Sequence, residues 1–261
     1  MRMLSAFLLR ISKDPTHAEY PAPGSEFTVE NALQLLLHSF PQFEAQVAGK
    51  RIADFGCGEG FQSIALATRY RCDVVGIESN PRTLERAIQN AKAKRLENSR
   101  ILLAAKISSD MLGTFDVVIS ENAFEHFHKP ADVLAQMSSL LKHDGLILIT
   151  FGPPWLAPYG SHMHFFCKVP WINVLFPEST VMEARSHFRS DGATRYEDVE
   201  SGLNKMTLRK FESIVASCGL QLEYKKYECV KGLNFLARLP LLREFFVNNV
   251  TAILSKRQPR Q

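Results

Sequence analysis

The sequence predicts an α/β protein built on a doubly wound, mostly parallel sheet of seven strands. Three observations carry that prediction. Five short, nearly uninterrupted apolar runs lie between residues 51 and 150, the pattern of strands buried on both faces. Helix-periodic segments alternate with them, as β-α-β crossovers require. The first run ends in the turn Gly56-Cys57-Gly58-Glu59-Gly60, where such a fold brings backbone up to a ligand.

In chain order, Arg51 to Phe55 is the first strand and Phe61 to Tyr70 the first crossover helix, with Ile64, Ala65 and Ala67 at helical spacing. Asp73 to Glu78 is the second strand. Asn80 caps the next helix with Pro81 at its first position, and that helix runs to about Arg95. Ile101 to Ala104 and Phe115 to Ser120 are the third and fourth strands. The link between them is short, so Ile107 to Leu112 is either a poorly patterned helix or an abbreviated crossover. Pro130 opens a helix whose Val133, Leu134, Met137, Leu140 and Leu141 share a face. His143-Asp144-Gly145 turns into the fifth strand, Leu146 to Thr150. Thr207 to Cys218 is a helix stopped at Gly219, and Leu220 to Val230 is the sixth strand. A short helix or turn around Leu236 to Phe246 leads to the last strand, Asn248 to Leu254.

This organisation is a single domain over 1–261. An N-terminal helical or lid region occupies 1–49, a ligand-binding core 50–150, and a closing helix with two strands 205–261. Between them, 151–204 is a partly irregular insertion over the carboxyl-terminal edge of the sheet, rich in turn formers at first and then in aromatic residues.

Composition excludes several classes. The 261 residues are 46% hydrophobic and 22% charged, enough apolar material for one large core and unlike a disordered chain. The formal charge of +4 is spread along the chain without a basic run interleaved with aromatics, so no nucleic-acid partner is expected. The five cysteines, Cys57, Cys72, Cys167, Cys218 and Cys229, have neither zinc-knuckle nor dithiol spacing and read as reduced thiols; no metal is expected. Arg10 interrupts the apolar Leu4 to Leu9 stretch, which argues against a signal peptide. No run reaches the length of a membrane span, and a cytoplasmic location follows by default. Phe235 to Leu242 keeps membrane-surface or dimer contact open, and monomer and homodimer both stay open.

The turn narrows the ligand. The dinucleotide fingerprint needs its third glycine one position later, where this chain has the bulky Phe61. A P-loop is excluded because no Gly-Lys-Ser or Gly-Lys-Thr closes the turn. Asp54 can accept a hydrogen bond from a cationic ligand amine or orient the amides of the turn. Glu78, at the end of the second strand, faces the same crevice in a right-handed β-α-β unit. A carboxylate there accepts hydrogen bonds from both ribose hydroxyls and repels a ribose phosphate.

Asp54-Phe55-Gly56-Cys57-Gly58-Glu59-Gly60 resembles the first motif of class I S-adenosylmethionine-dependent methyltransferases, and Val75-Gly76-Ile77-Glu78 resembles their acidic second-strand motif. Phe115 to Ser120, followed by Glu121 to Phe127, is similar to the fourth strand and following segment of the broad family that includes ubiquinone and small-molecule methyltransferases. Leu140 to Leu146 resembles its leucine-lysine-proline-glycine-glycine turn, with His143 and Asp144 in place of proline and glycine. The resemblance covers about 48–151. It implies a Rossmann-like sheet, S-adenosyl-L-methionine as cofactor, and methyl transfer to an oxygen, nitrogen or carbon of a small-molecule, lipid-like or saccharide acceptor. It puts Gly56, Gly58 and Gly60 beneath the methionine and ribose portions, Glu78 on the ribose hydroxyls, and Ser79 or Asn80 beside the adenosine. Asp54, Cys57 and Ser120 complete the cofactor set. The third strand ends in Ala104-Ala105-Lys106-Ile107 without the family's usual acid, which leaves backbone groups and Ile107 for the adenine, with Asp110 as a further polar candidate.

Methyl transfer from a sulfonium needs alignment and, for a protonated acceptor, a base titrating near neutral pH. Glu121 follows the fourth strand, where the family lines its donor and acceptor channel. His126, His128, His162 and His164 are the histidine candidates, His126 with a structural role as the stronger reading. His162 and His164 share a side if their backbone is extended. Trp155, Tyr159, Phe165, Phe166 and Trp171 form either an acceptor-binding lid or the insertion's own small core. Two other functions stay open: an NAD-dependent oxidoreductase, which Phe61 disfavours, and a non-catalytic S-adenosylmethionine-binding regulator or assembly protein.

Overall fold

Seven strands form one open sheet in the order β3-β2-β1-β4-β5-β7-β6 in the computed structural model, which describes residues 2–12, 27–96, 100–199 and 202–257. The strands are β1 (Arg51–Phe55), β2 (Asp73–Ile77), β3 (Ile101–Ala104), β4 (Phe115–Ser120), β5 (Leu141–Phe151), β6 (Leu220–Cys229) and β7 (Val247–Lys256). The first five pair in parallel, and β7 runs antiparallel to both β5 and β6. Strand order reverses between β1 and β4, so the ligand crevice of this topology falls at their carboxyl ends.

Alternation along the strands separates two apolar layers. Ala53, Val75, Val118, Ile147 and Ile149 face one side, covered by α6 (Pro130–Leu140) and α9 (Leu208–Ser217) through Leu134, Met137 and Phe211. Ile52, Val74, Val117, Ile119 and Leu148 face the other. There they meet α2 (Val29–Ser39), α3 (Phe43–Val47) and α4 (Phe61–Arg69) through Leu36, Phe43 and Leu66. The crossover helix α5 (Pro81–Ala93) is capped as expected: Asn80 Oδ1 accepts from the amides of Arg82 and Thr83. It stops short of Arg95, whose φ of 55° is left-handed. The β3–β4 link is the abbreviated crossover, with one 3₁₀ turn at Ser109–Met111. The His143-Asp144-Gly145 turn lies within β5 as a bulge, where the pairing jumps from Phe115↔Leu141 to Val117↔Leu146.

The insertion is more ordered than its polar sequence suggests. It holds α7 (Ile172–Leu175) and α8 (Glu178–Arg185) around a third core of Met163, Phe166, Ile172, Val181 and Tyr196. The N-terminal α1 (Arg2–Ile11) packs on α8 and adds Leu8 to that core. Helical patterning at 178–185 is masked because α8 buries Thr180 and Arg185. Arg185 donates to both carboxylate oxygens of Asp191, at 2.6 and 2.5 Å. Parts of the predicted terminal regions, 13–26 and 258–261, lie outside the described residues. All five cysteines are free, and no group of residues suited to hold a metal occurs among the described residues.

Candidate functional site

Gly56, Gly58 and Gly60 all have left-handed φ, of 77°, 54° and 81°, a conformation that glycine adopts without steric cost. Their surroundings differ. A Cβ on Gly56 would meet Ala123 Cβ at 3.0 Å, and one on Gly60 would meet Ala87 Cβ at 3.2 Å, so these two let the β4 loop and α5 close on the turn. At Gly58 nothing lies within 4 Å. Gly58 is thus the open floor of the turn, and Gly60 is a packing position rather than ligand floor.

Two backbone contacts fix the turn to β2, with the amides of Gly56 and Cys57 donating to Ile77 O at 2.8 and 3.1 Å. Glu78 completes the clamp. One carboxylate oxygen accepts from Gly58 N–H at 3.1 Å and the other from Asn80 N–H at 2.7 Å. Each oxygen keeps a lone pair for a further donor. Ser79 and Asn80 are exposed beside it, with the Asn80 side chain occupied in capping α5. Ile107 packs against the main core.

A cleft of about 1750 Å³ opens above this turn. Its walls are Gly56 to Glu59, Phe61 and Gln62 on one side, Glu121 to Ala123 from the loop after β4 on another, and the start of α2 on a third. Phe27 meets Phe61 edge to face at 5.7 Å, and Thr28 and Asn31 form a reciprocal capping box that fixes the entry of α2. Phe27, Thr28, Asn31 and Gln62 are site residues that sequence reasoning missed. The capping pair was a readable signal for the helix, but its position over the turn is set by contacts between α2 and α4.

Carboxyl groups gather at the cleft base. Asp54 is buried and accepts from Ser63 Oγ at 2.6 Å; burial, aided by Glu78, raises its pKa from 3.8 to about 6. Glu121 accepts from Gln62 Nε2 at 2.9 Å and Asn122 Nδ2 at 2.5 Å. Burial, then the charges of Asp54 and Glu125, raise it from 4.5 to about 7. Glu125 is buried deeper and pushed up by desolvation against the opposing pull of His126; one of its oxygens accepts from Gly152 N–H and the other has no partner. Cys57 is likewise shifted upward by burial and stays a thiol. Ser120 is fully buried at the end of β4, its hydroxyl without a partner.

His126, His162 and His164 lie away from the cleft walls. His126 Nδ1 is 2.7 Å from Gly202 O, a group that only accepts, so Nδ1 carries the proton and the ring ties the β4 loop to the insertion. Asn204 reinforces that joint, donating to Phe124 O and Phe127 O at 2.8 and 2.9 Å. His162 meets His126 edge to face at 5.4 Å, and burial followed by the His126 charge lowers its pKa to about 4, leaving a weak base. The expectation that His162 and His164 share a side does not hold. His162 sits in a turn with φ 56°, while His164 is exposed against Tyr159.

Four of the five aromatic candidates pack within the insertion, and Trp171 ties it to the closing region. Phe166 is fully buried and stacks on Phe188, Trp155 packs edge to face on Tyr196, and Phe165 lies beneath the Arg189 guanidinium. Trp171 donates to Phe245 O at 3.3 Å. None of Trp155, Tyr159, Phe165, Phe166 and Trp171 lines the cleft; Trp155, Phe165 and Phe166 build the third core, while Tyr159 packs on His164.

Residues 46–153 match the family model described as a methyltransferase domain. The ubiquinone biosynthesis O-methyltransferase of Ralstonia nicotianae is 30% identical over 129 residues, 49% of this chain and 54% of that protein. Its counterpart in Nitrosococcus oceani is 34% identical over 107 residues, 41% of this chain and 45% of that protein. The matched stretch thus spans about half the length of these relatives. The geranyl diphosphate C-methyltransferase of Streptomyces coelicolor superposes with a TM-score of 0.57 at 14% identity, over 87% of this chain and 76% of that one, which shows a shared fold. Residues 46–153 are thus similar to a methyltransferase domain, and the chain has the open seven-stranded sheet that its sequence predicts.

Proposed function

We propose that this protein is an S-adenosylmethionine-dependent methyltransferase that methylates an oxygen of a small acceptor. The observation that carries the reading is the carboxyl cluster beneath the open Gly58 floor. Asp54 and Glu121 are held well above the usual carboxylate range, which suits a site completed by a cationic ligand. Glu78 has lone pairs free for ribose hydroxyls, and the open space over Gly58 accommodates a ligand against backbone.

Bound S-adenosylmethionine would supply a methyl group already activated on a sulfonium. The chain's own residues then have two tasks. Gly58, Glu78 and the α2 wall position the ligands, and Glu121 takes up the proton of an acceptor hydroxyl. Its pKa of about 7 lies where a general base works best, and it lines the cleft. The names of the O-methyltransferase relatives support an oxygen nucleophile. His126 acts by holding the β4 loop to the insertion. Titration calorimetry with S-adenosylmethionine, followed by assay of S-adenosylhomocysteine release against phenolic, lipid-like and saccharide acceptors, tests the proposal. Binding of NAD in place of S-adenosylmethionine would overturn it. Tight cofactor binding with no acceptor-dependent release would leave a binding protein rather than an enzyme.

A further inference from the structure

Methyl transfer at the cleft leaves unexplained a broad apolar surface on the same edge of the sheet. Most exposed large apolar side chains among the described residues gather in three short segments. On α1, Met3 is 87% exposed and Phe7 52%, on the side away from Leu8. On α7, Leu175 is 64% exposed beside Val174. Phe235 and Leu241, at 62% and 76%, lead the third group in the crossover 230–246 between β6 and β7. A folded surface scatters such residues singly; a gathered patch marks a contact.

Topology puts the three segments on one edge. Because β7 is antiparallel to both β5 and β6, the carboxyl ends of β5 and β6 lie together, at the edge where the glycine turn follows β1. The insertion leaves from β5 and the crossover from β6, while α1 rests on α8 of the insertion. Direct contacts join them. Phe7 and Phe176 have ring centroids 6.5 Å apart, and Trp171 donates to Phe245 O and meets Phe246 at 5.8 Å.

The charges in these segments have one sign. Arg10, Lys168, Lys231 and Arg238 are exposed among the apolar groups, and the only acid in residues 2–12, 168–176 and 230–246 is the buried Glu244. Basic residues flanking exposed leucine and phenylalanine match an interface of acyl chains below anionic headgroups. A twofold pairing of the same face would set like charges against each other. Among the described residues no helix is long and apolar enough to cross a membrane, so the contact is a surface one.

We infer that the apolar and basic face formed by α1, α7 and the 230–246 crossover docks the protein on an anionic lipid bilayer, with the cleft edge turned toward the membrane. The inference rests on this surface and not on the methyl-transfer reading. Flotation of the purified full chain with vesicles of phosphatidylcholine alone, or mixed with phosphatidylglycerol, tests it. Wild-type protein floats with the mixed vesicles and more weakly with phosphatidylcholine. The double substitution Phe235→Asp/Leu241→Asp, at exposed sites that leave the core untouched, lowers binding to both on the order of a hundredfold, with an unchanged circular dichroism spectrum. Lys231→Glu/Arg238→Glu lowers binding to the mixed vesicles by about tenfold or more and leaves phosphatidylcholine binding nearly unchanged. Wild-type protein staying unbound with both vesicles, or the Asp variant floating as well as wild type, overturns the inference. A dimer that Leu241→Asp splits, without flotation, assigns the face to a second copy and overturns it equally.

Discussion

Replacing Glu121 with glutamine removes a charge and keeps the shape, and the structure fixes the sign of the result. In the ligand-free protein, burial and the nearby Asp54 and Glu125 raise Glu121 from 4.5 to about 7. The folded state therefore holds the proton more tightly than the unfolded chain does. Wild-type stability is highest below pH 4.5 on this account, falls as pH rises toward 7, and carries the full deficit above that. The deficit corresponds to about 3 kcal/mol. Glutamine does not titrate and escapes it. Its single acceptor oxygen forces Gln62 or Asn122 to reorient, at about 1 kcal/mol. Glu121→Gln is thus expected to be more stable than wild type by about 2 kcal/mol at pH 8, and no more stable than wild type at pH 4.5. Urea denaturation followed by circular dichroism at the two pH values reads the difference, and turnover under saturating ligands is expected to drop by about a hundredfold or more. A stability difference of the same size at both pH values would refute the argument, since it would locate the effect in packing rather than charge.

The same carboxyls give ligand binding a pH dependence. S-adenosylmethionine affinity is expected to rise between pH 5.5 and 7.5 as Asp54 and Glu121 lose protons, with proton release seen by calorimetry in two buffers; S-adenosylhomocysteine, which lacks the sulfonium charge, shows a smaller change. Gly58→Asp and Gly60→Ala separate floor from packing. The first weakens cofactor binding far more than it lowers the melting temperature, while the second meets Ala87 in a left-handed backbone and destabilises by about 2 kcal/mol. Glu78→Ala leaves the Gly58 and Asn80 amides without their acceptor and is expected to weaken cofactor binding more than tenfold, with Glu78→Gln intermediate in the same titration. Asn204→Ala breaks both bonds to the β4 loop and costs about 2 kcal/mol in urea denaturation, with faster proteolysis of the insertion as a second readout.

What could be read from the sequence was local. The strands of the core, the Asn80-Pro81 helix start and the glycine turn announce themselves through residue type and short-range spacing, because burial on both faces and left-handed φ restrict which residues fit. The short β3–β4 link was legible as two options, and the 3₁₀ turn at Ser109–Met111 is one of them. What escaped depends on distant partners. Nothing near His126 reveals that its ring faces Gly202 O, 76 positions away. The α8 helix hides its period because Arg185 goes inward to meet Asp191. The aromatic residues of 151–204 have the composition of a lid, and only the packing of α1 on α8 shows that they make a separate core. Glu121 was a candidate from its position alone, but its raised pKa arises first from burial and then from Asp54 on β1 and Glu125 beyond β4.

That cluster is hard to account for as architecture. Burial raises the cost of ionising Asp54, Glu121 and Glu125, the charges of Asp54 and Glu125 add to it at Glu121, and the hydrogen-bond partners Ser63, Gln62, Asn122 and Gly152 N–H donate without neutralising charge. Among the described residues, neither Asp54 nor Glu121 is paired with a lysine or arginine, although the chain is basic overall. Apolar side chains at these positions would pack the same space at lower cost, since buried like charges weaken a fold. Arginine at Gln62, which lines the cleft beside Gly58, would cancel the charge but would also fill that opening. The cluster makes sense if the missing positive charge arrives with the ligand. On that view the ligand-free protein is held below its attainable stability near neutral pH. A sulfonium ligand restores part of the loss on binding, and the acceptor proton later finds Glu121 ready to take it.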